Sequence, residues 1–127
     1  MLLLLDTHAF LWWNADDPAL GPNARTAIAD SGNIVFVSAA TAWEIATKRE
    51  SGKLDAPGDI VDWIRQGGFT ELAIELEHAV LSAELPKHHR DPFDRLLVAQ
   101  AAIEELTLVT ADAEILKYSV ETLDAAT

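Results

Sequence analysis

The chain has no cysteine among its 127 residues, which removes disulfides, thiolate metal ligands and cysteine nucleophiles together and suits a reducing compartment. Basic residues are scarce: nine Lys and Arg stand against 21 Asp and Glu, a formal net charge of -12. That balance works against loose, sequence-independent binding of nucleic acid by the whole surface. No apolar run is long enough to cross a bilayer. The opening MLLLL stops at Asp6, with no basic residue before it and no small-residue cleavage site after it. A secretory signal is therefore not expected, and a cytoplasmic protein without a membrane partner is. Repeats, low-complexity tracts and linkers are absent too.

What is present is a balanced globular composition, 50% hydrophobic and 24% charged, which predicts one domain over residues 1–127 with a substantial core. Leu2 to Leu5 is a short continuous apolar run, the pattern of a strand buried on both faces of a parallel sheet. A helix carrying Phe10, Leu11 and Trp12 follows, then a loop marked by Asp17-Pro18 and Gly21-Pro22, then a helix over Asn23 to Asp30. Ile34 to Val37 reads as a second strand, and Ser38 as the N-cap of a helix from Ala39 to Glu50 that Ser51-Gly52 stops. Helices are predicted over Asp59 to Gln66 and Glu77 to Leu85, with a strand over Phe69 to Ile74. Asp91-Pro92 opens a long helix reaching Glu104 or Glu105. A strand over Leu106 to Thr110, a short helix over Asp112 to Lys117 and a strand over Val120 to Leu123 complete an α/β domain, its mostly parallel sheet flanked by helices.

In such sheets ligands bind beyond the carboxyl ends of the strands. Asp6 ends the first strand, Glu44 lies near the start of the helix after the second, Asp94 falls in the first turn of its helix, and Asp112 lies just past another strand. Each acid alone has a structural explanation: a cap for Asp6 and Asp112, a first-turn acid at a helix dipole for Asp94, an i, i+4 pair with Lys48 for Glu44. Together they share one sheet edge, which capping does not require. Four carboxylates without partners repel one another, and a hard divalent cation resolves the repulsion. Magnesium or manganese suits such an oxygen donor set better than zinc.

The scarce cations cluster near two of these acids. Lys48, Arg49 and Lys53 form one group, and Lys87, Arg90 and Arg95, with His88 and His89, form another. They read either as an RNA-contacting rim around an acidic pit or as two solvated faces. A second chemistry would use His88 and His89 as general acid and base without a metal, but neighbouring side chains point in different directions. Asp91 is assigned to capping or to a pair with Arg95.

LLLLDTHAFLWW, SAATAWEIATKRESGKL, HHRDPFDRLLVAQA and LVTAD resemble, in order, the motifs of VapC-like PIN-domain toxins, over nearly the whole chain. The resemblance implies a compact PIN fold, magnesium- or manganese-dependent endoribonuclease activity that inhibits translation, and a place as the toxin of a toxin-antitoxin pair. It carries the four motif acids onto Asp6, Glu44, Asp94 and Asp112. Thr7 and Thr110 are candidates to orient those ligands through their hydroxyls.

The resemblance also implies a cognate antitoxin over the site, and an acidic pit would draw an arginine or lysine from it. The apolar surplus Phe10, Leu11, Trp12 and Trp13 is a candidate homodimer or antitoxin contact. Two readings from other classes compete with this one. A phospho-accepting receiver would want paired acids after the first strand, where only Asp6 stands, and a catalytically idle binding module would be favoured by loss of one of the four acids.

Overall fold

The computed structural model describes residues 1–56 and 58–127. Five strands, β1 (Leu2–Leu5), β2 (Ile34–Ser38), β3 (Thr70–Leu72), β4 (Thr107–Thr110) and β5 (Thr122–Asp124), form one sheet in the order β3-β2-β1-β4-β5. Every pairing is parallel. β1 is central, and its run of leucines is explained by burial on both sides. Leu3 and Leu5 join Val35, Val37 and Val109 in one core, while Leu4 and Leu108 face the other. Full burial of a leucine contributes about 2 kcal/mol.

Six helices cover the two faces: α1 (Thr7–Asn14), α2 (Pro22–Ala29), α3 (Ala39–Glu50), α4 (Ile60–Gln66), α5 (Leu76–Glu84) and α6 (Pro92–Glu104). Phe10 of α1, Ala24 and Ile28 of α2 and Ile64 of α4 pack on the first core; Leu96, Leu97, Val98 and Ala101 of α6 pack on the second. Helix α3 reaches both, through Ile45 and Ala40. A buried tie holds its start. The Ser38 hydroxyl accepts from the amide of Ala40 at 2.9 Å and donates to Gln100 Oε1 of α6 at 2.6 Å, and Gln100 Nε2 donates to the Ala73 carbonyl.

The element order matches the sequence expectation, with differences where intrinsic signals are weak. The short helix expected over Asp112 to Lys117 is only a 3-10 turn at Ile115–Lys117, because the Asp112 side chain caps Glu114 and a single turn offers few backbone bonds to propagate. The last strand starts at Thr122 rather than Val120, since its register is set by pairing with Leu108 to Thr110. No helix among the described residues is long and apolar enough to cross a membrane.

Candidate active site

The chain leaves β1 for β2 on one side and later returns to β4 on the other, so the topological switch point lies between β1 and β4. Crevices at such points, beyond the strands' carboxyl ends, are where this class of sheet binds ligands. Asp6 sits there. Its amide donates to the Val109 carbonyl at 3.0 Å, continuing the β1–β4 ladder by one bond. Its side chain caps α1, with Oδ1 accepting from the amide of Ala9 at 2.8 Å. The cap expected from sequence is thus real, and it leaves Oδ2 to accept from the Thr110 hydroxyl at 2.6 Å. Burial pushes the Asp6 carboxyl above its ordinary value, against the pull of the Thr110 hydroxyl and the Ala9 amide.

Thr110 also accepts from the amide of Asp112 at 3.0 Å, so one hydroxyl ties the acids of two strand ends together. Thr7 does the same for the next acid: its hydroxyl donates to Glu44 Oε1 at 2.7 Å and lies 3.2 Å from the hydroxyl of Thr41. The i, i+4 pair with Lys48 that the spacing offers is formed, but Glu44 itself is buried, 3% exposed, so the pair has only one partly exposed end. Lys48, one turn on, bonds to its other oxygen, and that bond raises the lysine's pKa against partial burial.

Asp94 lies in the first turn of α6, whose start is capped by Asp91 through the amides of Phe93 at 2.8 Å and Asp94 at 3.3 Å. Burial pushes its carboxyl up to about 7; Asp91 adds to the rise, His89 opposes it, and Glu44 and Asp6 add further. Asp94 thus feels Asp91, Glu44 and Asp6 across the sheet edge, and Asp6 feels Asp112. Asp112 behaves oppositely. Burial works to raise it, but the bonds from His89 and the Glu114 amide outweigh burial and hold it below the usual carboxylate value.

His89 joins these acids, a contact that its spacing did not announce. Half-buried in the segment before α6, it has Nε2 3.0 Å from Asp94 Oδ2 and 2.9 Å from Asp112 Oδ2, and the three atoms all fall within 4.8 Å of one another. Burial lowers its tendency to protonate, yet the Asp112 bond and the charges of Asp94, Asp112 and Asp91 raise its pKa overall. The signal in the sequence was its place two residues before the cap of the helix that bears Asp94.

Arg95 is corrected as well. It is buried, 9% exposed, and its guanidinium donates to the carbonyls of Ala83, Leu85, Pro86 and His89 and to the Tyr118 hydroxyl. It therefore braces the segment that carries His89 instead of facing RNA, and Asp91 keeps its capping role without a side-chain pair to Arg95. His88 points away from His89 and packs edge-to-face on Tyr118, ring centroids 5.0 Å apart, so the two imidazoles do not flank one phosphate. Lys53, Lys87 and Arg90 are exposed and Arg49 half-buried. Phe10 is wholly internal, whereas Leu11 and Trp12 border a groove of about 350 Å³ with Leu54, Ala56 and Trp63.

A five-stranded parallel sheet with Asp6 at its switch point, tied to Asp112 through Thr110, and with Asp94 and Glu44 on the helices beside it, defines an α/β domain with acids at the carboxyl edge of its sheet. The chain belongs to the PIN domain family, whose model matches residues 3–121. Over 113 residues it is 29% identical to Ribonuclease VapC22 of Mycobacterium tuberculosis, spanning 87% of this chain and 86% of that protein. In fold it resembles a chain of the VapBC2 complex of Rickettsia felis bound to a DNA fragment from its promoter, with a TM-score of 0.67 and 16% identity over 97% of this chain and 98% of that one. A toxin-antitoxin complex from Klebsiella pneumoniae gives 0.64 at 16% identity, covering 97% of each chain.

Proposed function

We propose that this chain is a metal-dependent endoribonuclease that acts as the toxin of a toxin-antitoxin pair in the cytoplasm, inhibiting translation when free. The observation that carries the reading is the gathering of acids at the carboxyl edge of the sheet, where the Thr110 hydroxyl joins Asp6 to Asp112, His89 Nε2 lies 3.0 and 2.9 Å from Asp94 and Asp112, and Thr7 holds Glu44 beside Asp6. Acids gathered in this way repel one another, and a hard divalent cation offsets the repulsion. The 29% identity to a named ribonuclease supports the same reading.

In this reading Asp6, Glu44, Asp94 and Asp112 hold Mg2+ or Mn2+. When bound, the ion supplies water activation and charge stabilisation for hydrolysis of an RNA phosphodiester. The chain's own groups set the geometry: Thr110 orients Asp6, Thr7 and Lys48 orient Glu44, and the α6 cap fixes Asp94. The exposed Lys53, Lys87 and Arg90, with His88 and Arg49, are the remaining contacts for the phosphate backbone. No side chain acts as nucleophile, so the products carry 5′-phosphate and 3′-hydroxyl ends.

An antitoxin arginine or lysine entering the carboxylates would inhibit the enzyme, and Leu11 and Trp12 offer it or a second copy an apolar contact. The test is incubation of the purified chain with end-labelled RNAs in Mg2+ or Mn2+, beside EDTA and Asp94→Asn controls. Cleavage that needs both metal and Asp94 and leaves 5′-phosphates is expected. Cutting in EDTA with cyclic phosphate ends would overturn the reading.

A further inference from the structure

One oxygen of each of Asp94 and Asp112, Oδ2 in both, faces His89 Nε2, at 3.0 and 2.9 Å. The other ring nitrogen decides what Nε2 can do. The amide of Asp91 donates to Nδ1 at 3.0 Å, so Nδ1 carries no hydrogen and the hydrogen of the neutral ring is on Nε2. An imidazolium carries one there as well. In either form Nε2 has no lone pair for a metal. Metal-ligating histidines donate their second N–H to an acceptor, and here the group facing that nitrogen is itself a donor.

The geometry points to His89 as a positioning residue that occupies the cation's place: its Nε2–H donates to Asp112 Oδ2 with Asp94 Oδ2 3.0 Å away, and an arriving divalent ion displaces the ring instead of gaining it as a ligand. The inference rests on the metal-dependent reading of the site. A hydrogen-bonded proton lies about 2 Å from its acceptor oxygen, and magnesium sits about 2.0–2.1 Å from its carboxylate oxygens. Proton and ion compete for one position.

The main chain of His89 is held while the ring moves. Its amide donates to the Tyr118 hydroxyl at 2.9 Å and its carbonyl accepts from Arg95 at 3.2 Å, so the ring leaves by side-chain rotation. It borders an open basin of about 570 Å³, shared with Ala83, Lys87, Arg90 and Arg95, that receives it.

The test is Mn2+ binding followed by electron paramagnetic resonance on the purified wild-type chain and on His89→Ala, with Mg2+ titration of the wild-type histidine ring resonances by NMR. Removing a competing charge-assisted donor should tighten Mn2+ binding about tenfold. Spin-echo spectra of the Mn2+-loaded wild type should show no directly coordinated nitrogen, and the His89 ring signals should move in step with Mg2+ saturation. Nitrogen coupling that His89→Ala removes, equal or weaker Mn2+ binding by the variant, or a His89 ring unmoved at saturation would each overturn displacement. The two wild-type measurements decide the matter if the variant does not fold. Absence of Mn2+ binding by the wild type overturns the metal-dependent reading together with this inference, whereas binding with His89 in place overturns only the inference.

Discussion

The hydroxyl of Thr110 lies 2.6 Å from Asp6 Oδ2 and accepts from the amide of Asp112 at 3.0 Å, joining two acids that are over a hundred residues apart in sequence. Replacement by valine keeps the shape and removes both bonds. Thr110→Val should retain the fold, lose about 1–2 kcal/mol of stability and lower the rate of RNA cleavage about 10–100-fold. Urea unfolding beside single-turnover cleavage measures both, and an unimpaired rate would show that Asp6 needs no such support.

Without metal, stability should fall as pH rises from about 4 to 8. Asp94 binds its proton more tightly when folded, about 7 against an ordinary 3.8, so ionising it costs folding free energy across that interval. Asp6, also raised, acts in the same direction. The raised His89 contributes stability below its ordinary 6.5 that is lost as pH climbs through its folded value. Asp112, lowered, contributes stability that is lost only in stronger acid. Thermal melts in EDTA should decline toward pH 8, with Mg2+ restoring Tm there; a flat profile would contradict the clustering of charge.

Asp94→Asn removes the acid that suffers most from this crowding. In EDTA at pH 8 the variant should melt about 3–6 °C above the wild type while losing RNA cleavage. A lowered Tm would show that the Asp94 carboxylate stabilises the fold.

Arg95 braces five acceptors on the 83–89 segment and Tyr118, and leaving them unpaired should cost about 2–4 kcal/mol in Arg95→Met. Lysine, with a compact ammonium, cannot span them and should rescue little. RNA binding by Arg95→Met should keep the wild-type salt dependence, since the guanidinium is spent on these carbonyls; a reduced salt slope would restore it to the RNA rim.

Helix α6 ends on Glu105 in the left-handed region, at φ 56 and ψ 50. Glycine relieves that conformation, so Glu105→Gly should add about 0.5–1 kcal/mol of stability. Chemical denaturation at equal activity checks it.

Legible in the chain alone were the α/β alternation, the central leucine strand, the caps at Asp6, Ser38 and Asp91 and the four candidate acids. Those signals are local: an unbroken apolar run, a capping residue before a helical pattern, a carboxylate at a strand end. Tertiary structure decided what depends on direction and distance. It turned Arg95 inward onto carbonyls, because a guanidinium can be buried where enough acceptors converge, and no spacing in the chain announces that convergence. It linked Ser38 to Gln100 across the core and brought Thr7 onto Glu44. It also placed one ring of His88-His89 between two carboxylates and the other on Tyr118, since adjacent side chains leave the backbone in different directions and only the packed helices settle which one meets the acids.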